Sequence, residues 1–134
     1  MKTITSFERI TLSITGMRAF TEEYEIVKTE SGVTLSRYEG SWRYDDSQNR
    51  EDCLVARLEG DEALYAQILT KLNEFKIAKW DGFQKSNKYM LDGYMFLFEA
   101  SVNSGSRIRA EGSNAYPKHY RAFLDYLSTT LPRK

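Results

Sequence analysis

Groups able to do acid–base or nucleophilic chemistry are scarce in this chain, which has one histidine, His119, and one cysteine, Cys53, among its 134 residues. His119 stands two positions after Pro117, where a final helix is expected to begin. The positive end of a helix disfavours an imidazolium, so a neutral imidazole there would suit proton transfer. No carboxylate or nucleophile stands at a recognisable spacing from it, and it reads as a surface residue of a first helical turn. Cys53 follows the acidic residues Asp45, Asp46, Glu51 and Asp52. Their charge raises a thiol pKa, the wrong direction for a nucleophile, so Cys53 reads as structural. The same run offers oxygen ligands, with Asn49 among them, but lacks the spacing and turn glycine of calcium loops. Phosphate-cradling loops, dinucleotide fingerprints, nucleophile elbows and zinc-protease helices are absent from the sequence. The chain is therefore read as a non-enzyme, with no catalytic residue, no metal and no cofactor.

Binding chemistry has better candidates. Arg107 and Arg109 are two apart on an expected strand, so their side chains share a face. Just beyond them, Lys118, His119 and Arg121 cluster in the first turns of the last helix, where unsatisfied backbone N–H groups favour anions. These five residues form a candidate anion- or partner-binding patch. A second basic group, Lys76, Lys79, Lys85 and Lys88, surrounds Trp80 and Phe83, the mixture used for single-stranded nucleic acid. Trp80 reads more simply as a core anchor.

The elements that must position these groups follow from periodicity. Ile10, Leu12 and Ile14 alternate with Thr11, Ser13 and Thr15, the period of a half-buried strand. Tyr24 and Ile26 lead through Ser31-Gly32 to Val33 and Leu35, a hairpin. The third strand is expected to run on through Tyr38 towards Tyr44, with Gly40 as a bulge, before an apolar-free loop from Asp45 to Asp52. Residues 53–60 give a fourth strand. The period then changes to 3.6, with Leu64, Ile68, Leu72 and Phe75 on one face of a helix over 61–76, and Asp61 as its N-cap. Asp92-Gly93 predicts a tight turn between a short strand Lys88–Leu91 and a long apolar strand from Tyr94. Ser104-Gly105 turns into a strand through Arg107–Ala110, and Pro117 opens a helix striped by Tyr120, Phe123, Leu124, Leu127 and Leu131. The predicted fold is α+β, a single antiparallel sheet of six to seven strands with two helices packed on one face, in the order ββββ-α-βββ-α.

Length and charge bound the rest. The chain is long enough to bury roughly two-thirds of its surface, so residues 1–134 are read as one domain. Nineteen basic and nineteen acidic residues cancel, which disfavours nucleic acid as a partner. No apolar run spans a membrane and the N-terminus carries no signal peptide, so no membrane partner and a cytoplasmic location are expected. Half of the 18 aromatic residues are tyrosine, a residue over-used at protein interfaces.

Trp80-Asp81-Gly82-Phe83, then Leu91-Asp92-Gly93-Tyr94, then Gly112-Ser113-Asn114-Ala115-Tyr116-Pro117 resemble, as an ordered set, a group of small bacterial α+β proteins of unassigned function. The resemblance covers about residues 76–134 and implies a fold, but no activity. The expected function is that of a non-catalytic protein-interaction domain. Such a domain would act as a small binding, adaptor or inhibitor protein, including a phage- or mobile-element-encoded inhibitor of bacterial defence. It would contact a macromolecular protein partner through an open sheet face carrying Tyr38 and Trp42. The alternative is an anion- or nucleic-acid-binding module using residues 107–121.

Overall fold

The computed structural model describes residues 3–16, 20–87 and 93–133. Four strands come first: β1 (Phe7–Thr15), β2 (Thr21–Lys28), β3 (Gly32–Gly40) and β4 (Leu54–Asp61). Helix α1 (Glu62–Glu74) follows, then β5 (Gln84–Ser86), β6 (Met95–Val102), β7 (Ser106–Ser113) and helix α2 (Tyr120–Thr130). The strands make one sheet in the order β4-β3-β2-β1-β6-β7-β5. The expected order of strands and helices is the one observed.

Alternation sorts the sheet into two faces. Ile10, Leu12 and Ile14 of β1 pair with Ile26, Tyr24 and Glu22 on one side, and with Ala100, Phe98 and Phe96 on the other. Both helices cover this face, their buried residues Ile68, Leu72, Tyr120, Phe123 and Leu127 joining the strands in one core. Leu64 and Leu124, expected to be buried, are half-buried and pack against that core from its margin. Trp80 sits at its centre, edge-on to Phe98 (5.0 Å) and Phe123 (5.7 Å), its indole N–H donating to the Lys118 carbonyl at 2.9 Å. That bond leaves the one polar atom of the largest core residue satisfied.

The ends of α1 follow the sequence signals closely. The Asp61 carboxylate accepts from the Ala63 and Leu64 N–H groups at 3.0 and 3.1 Å, closing the N-terminus. Near the other end the Asn73 amide both accepts from Ile4 N–H and donates to Ile4 C=O, tying down the N-terminal segment. Helix α2 is fastened differently. Arg37 lies on the helix side of β3, nearly buried, and donates to the Leu131 carbonyl (2.9 Å) and to Glu22 (3.2 Å). A cation at a helix C-terminus is favoured by the helix dipole and caps a free carbonyl.

Two expectations about strands are corrected, and another falls outside the described residues. First, β3 ends at Gly40 and the chain turns away instead of running on to Tyr44. The bulge lies between the Arg37 and Tyr38 pairings with β4, and Gly40 is instead a point of close approach, where an added Cβ would sit 2.4 Å from the Cys53 sulfur. Second, the short strand is Gln84–Ser86; the predicted strand Lys88–Leu91 and Asp92 lie outside the described residues. Third, β5 runs parallel to β7. It leads on to β6 at one end of the sheet yet docks beyond β7, and β6 and β7 are antiparallel. A strand with that connection has no choice but to run parallel to β7. Gly82, at φ +86°, makes the turn into it, while the Asp81 carboxylate accepts from Arg109 N–H.

Truncating the buried stripe tests this packing. Leu72→Ala and Phe123→Ala are each expected to lower the unfolding free energy by about 2–5 kcal/mol. Leu124→Ala, at the margin, should cost clearly less than either. Urea denaturation of the three variants measures it, and a loss below about 1 kcal/mol for the first two would show the stripe misplaced.

Candidate functional site

The face without helices is built from the other alternating set. Arg9, Thr11, Ser13 and Thr15 of β1 lie beside Glu23 and Glu25 of β2, with Ser36 and Tyr38 of β3 and Arg57 of β4 beyond them. On the other flank stand Leu97 and Glu99 of β6, then Arg107, Arg109 and Glu111 of β7. Ionic groups of both signs alternate from strand to strand, and they pair: Arg9 with Glu25, Arg107 with Glu99 (3.0 Å), Arg109 with Glu111 (3.2 Å).

One of these carboxylates is out of water. Glu23 is 4% exposed. Its Oε1 accepts from Ser13 Oγ (2.5 Å) and an Arg43 N–H (2.9 Å), and its Oε2 accepts from Arg50 (2.8 Å). Arg43 also donates to Ser13 Oγ (3.0 Å), closing a ring of contacts. Burial pushes the Glu23 pKa up, but the hydrogen bonds from Ser13, Arg43 and Arg50 outweigh it and hold the carboxyl below its ordinary value. Desolvation works against the charge of Arg50 too, and its bond to Glu23 with the nearby Glu25 more than offsets that. Both oxygens of Glu23 are committed to these donors. It serves here as an anchor for charge, not as a base.

What it anchors is the loop between β3 and β4. Arg43 and Arg50 come from residues 41–53, which fold back across the sheet. The loop covers Tyr38, and this corrects the expectation of an open face bearing Tyr38 and Trp42. Tyr38 does point to the helix-free side, but it is 1% exposed. The Arg50 guanidinium lies over its ring at 4.4 Å, its hydroxyl donates to Glu51 and accepts from Arg57, and Trp42 meets it edge-on at 6.2 Å. Trp42 itself is half-buried. A flat aromatic face has become the floor under a polar strap.

The strap frames two clefts. The larger, about 440 Å³, has Arg43 and Tyr44 on one wall, Gln84, Lys85 and Ser86 of β5 on the other, and Ser13, Thr15, Met95 and Leu97 among its floor residues. The smaller, about 210 Å³, is polar and holds Arg9, Arg50 and Arg107 with the hydroxyl residues Thr11 and Ser101. On the helix side a third cleft of about 510 Å³ opens between Tyr94, Tyr116, His119 and Arg121.

The five residues proposed from sequence as one basic patch are split by the sheet. Arg107 and Arg109 share a face as expected, but it is the helix-free face, because Ile108 and Ala110 between them are core. Lys118, His119 and Arg121 lie at the start of α2, on the helix side, with His119 and Arg121 lining the cleft there. His119 takes the N-cap position in a left-handed conformation (φ 70°), with no side-chain cap bond. Both arginines carry carboxylate partners, and exposed pairs of that kind contribute about 0–1 kcal/mol each. Cys53 is half-exposed, and burial together with the Asp52 carboxylate raises its thiol pKa.

Of the residues that frame the clefts, the sequence pointed to Lys85, Arg107, His119 and Arg121, but not to Glu23, Arg43 or Arg50. The alternation did place Ser13 and Glu23 on polar faces. Nothing local tells that the arginines at 43 and 50, either side of an acidic run, return to one carboxylate twenty or more residues earlier. Two motif residues make contacts within the fold: Asn114 accepts from Tyr94 N–H at 3.2 Å, and Tyr116 stacks on Phe96 at 5.7 Å. No protein-family model, no curated protein and no solved structure matches the chain.

Removing the anchor should loosen the strap. Glu23→Ala strands Arg43 and Arg50 and is expected to cost about 2–3 kcal/mol, less than a fully buried pair because both arginines can turn towards water. The pH dependence has a definite sign. A carboxyl held below its ordinary value of 4.5 stabilises the fold fully above that pH and loses the contribution as pH falls through its lowered value. Urea midpoints from pH 7 down to 3 should therefore fall less steeply in Glu23→Gln than in the native chain.

Proposed function

We propose that this chain is a non-catalytic protein-interaction domain that docks its partner on the aromatic end of the sheet. One observation carries the reading. Among the described residues six large hydrophobic side chains are exposed, and five of them, Phe20, Tyr44, Tyr94, Met95 and Tyr116, stand at the same end. That end is fixed by register: Thr15 pairs with Thr21 and with Met95, Thr21 with Gly40, and Met95 with Ser113. Phe20 precedes Thr21, Tyr94 precedes Met95, and Tyr44 and Tyr116 follow Gly40 and Ser113 within four residues.

Exposed apolar groups gathered in one place, rimmed by charge, are how protein-binding surfaces look. Tyrosine serves well there, giving large contact area with two rotatable bonds. The 440 Å³ cleft opens beside Tyr44 and Met95, with Arg43, Lys85 and Glu111 as its charged lining. A partner presenting an apolar side chain flanked by hydrogen-bonding groups suits it. No helix among the described residues is long and apolar enough to cross a membrane.

A second reading, anion binding, draws on the smaller cleft with its three arginines. The carboxylates of Glu23 and Glu99 line the same cleft, which leaves an incoming anion little net attraction.

Two variants separate these readings when each is compared with the native chain in quantitative co-purification. Tyr94→Ser with Met95→Lys removes apolar contact at the end of the sheet, and should reduce partner recovery at least tenfold, since central contact residues are worth about 2 kcal/mol or more each. Arg107→Ala with Arg109→Ala should leave it unchanged. The reverse pattern, with steep loss of binding between low and high salt, would replace protein docking by anion recognition.

A further inference from the structure

The sixth exposed hydrophobic residue does not belong to the aromatic end. Leu58 is in the middle of β4, the strand at one border of the sheet. That border is long: β4 has eight residues, whereas β5 at the opposite border has three. A border strand shows a row of unpaired backbone groups, which most folds shorten, cover or charge.

Register determines which groups of β4 face outward. In an antiparallel ladder, residues alternate between pairs that exchange hydrogen bonds and pairs that do not. The Gly16 N–H to Phe20 C=O bond closes the β1–β2 turn, and the Thr29 N–H to Gly32 C=O bond closes the β2–β3 turn. Counting from either, Val33 and Leu35 direct their backbone groups towards β4, where they meet Gly60 and Leu58. Arg57 and Glu59 therefore direct theirs away from the sheet.

We propose that two copies of this chain pair through β4, antiparallel about a two-fold axis at Leu58, continuing one sheet into the next. In this register Arg57 stands opposite the partner's Glu59, and the symmetry repeats the pair. Backbone bonds form between these same residues, whose N–H and C=O groups point outward. Leu58 meets the partner's Leu58 in the close, non-bonded pair between them, on the helix side of the sheet, where the residue is otherwise left in water.

Charge selects the register. A slip of the axis by one residue sets Arg57 against the partner's Arg57, or Glu59 against the partner's Glu59, and like charges directly opposite are unfavourable. Within the chain Glu59 lies across from Thr34 and has no ion-pair partner among the described residues. Arg57 donates from Nε to Ser36 and from one terminal nitrogen to Tyr38, and that same nitrogen pairs with Glu51 at 3.5 Å, leaving its other terminal nitrogen for a partner. The two charges that would deter a foreign strand are complementary to their own copy. This contact lies at the border of the sheet, apart from the aromatic end, and either can fail without the other.

Sedimentation equilibrium tests it directly. The native chain should show a mass rising with concentration from 15.6 kDa towards twice that value. Arg57→Glu and Glu59→Arg should each weaken the dimer roughly tenfold or more, because symmetry turns two favourable pairs into two like-charge pairs. The double exchange should restore it, although the Arg57 bonds to Ser36 and Tyr38 and its pair with Glu51 are not restored. Glu59→Pro removes an outward N–H and leaves the ladder to β3 intact, and should abolish the dimer. Thermal unfolding of each variant confirms the fold, and Glu59→Arg removes no side-chain hydrogen bond or ion pair among the described residues. A mass of one chain at every concentration up to about 1 mM overturns the proposal. So does a dimer indifferent to Glu59→Arg, or one that the double exchange fails to restore.

Discussion

A carboxylate withdrawn from water must be met by donors in number, and the helix-free half of this molecule is arranged around meeting one. Glu23 takes three donors from two segments: Ser13 beside it in the sheet, and Arg43 and Arg50 from a loop with little apolar content of its own. That loop has no hydrophobic stripe to fold with. Its position comes from charge, and from the stacking of Arg50 on Tyr38. The burial of Tyr38, the half-burial of Trp42 and the walls of two clefts follow from that position.

The helix side obeys a different logic. There the sheet is sealed by aromatic rings meeting edge to face, with Trp80, Phe98 and Phe123 in mutual contact and Tyr120 beside them. Quadrupolar rings favour such geometry over flat stacking. A polar exception is Arg37, which stands on this side with Glu22 and Glu39 and holds the last turn of α2 through the Leu131 carbonyl. Each face thus has a charged tie fixing a segment that hydrophobic burial alone leaves free to shift, Glu23 for the loop and Arg37 for the helix end.

Between these two faces lie the surfaces on which the functional reading rests. Away from the aromatic end, the helix-free face is laced with paired charges and offers water more than it offers a partner. Among the described residues, large exposed apolar side chains stand at the aromatic end and at Leu58 on the β4 border. One surface suits docking by side chains, the other by backbone pairing, and a molecule that used both would present its docking ends in symmetric pairs.

Which residues face inward follows from local pattern alone, because a period of two or 3.6 needs no knowledge of neighbours. Hence the Ile10–Leu12–Ile14 face, the Ile68–Leu72 and Phe123–Leu127 stripes, the Asp61 cap and the core position of Trp80 were all legible. The same alternation put Arg107 and Arg109 on one face. What it left open was which strands lie side by side and what lies over them. The place of β5 beyond β7, the loop laid over Tyr38, and the split of the basic residues across the sheet depend on contacts between distant segments. Arg37 shows the limit most plainly, since its alternation is that of a core residue and its side chain is charged. The arrival of Glu22 and the Leu131 carbonyl, 15 and 94 residues away along the chain, with the Tyr24 ring and Glu39 beside them, makes a guanidinium stable there. Periodicity fixes the direction of a side chain, and tertiary structure alone supplies the partner that lets a charge stay where that direction takes it.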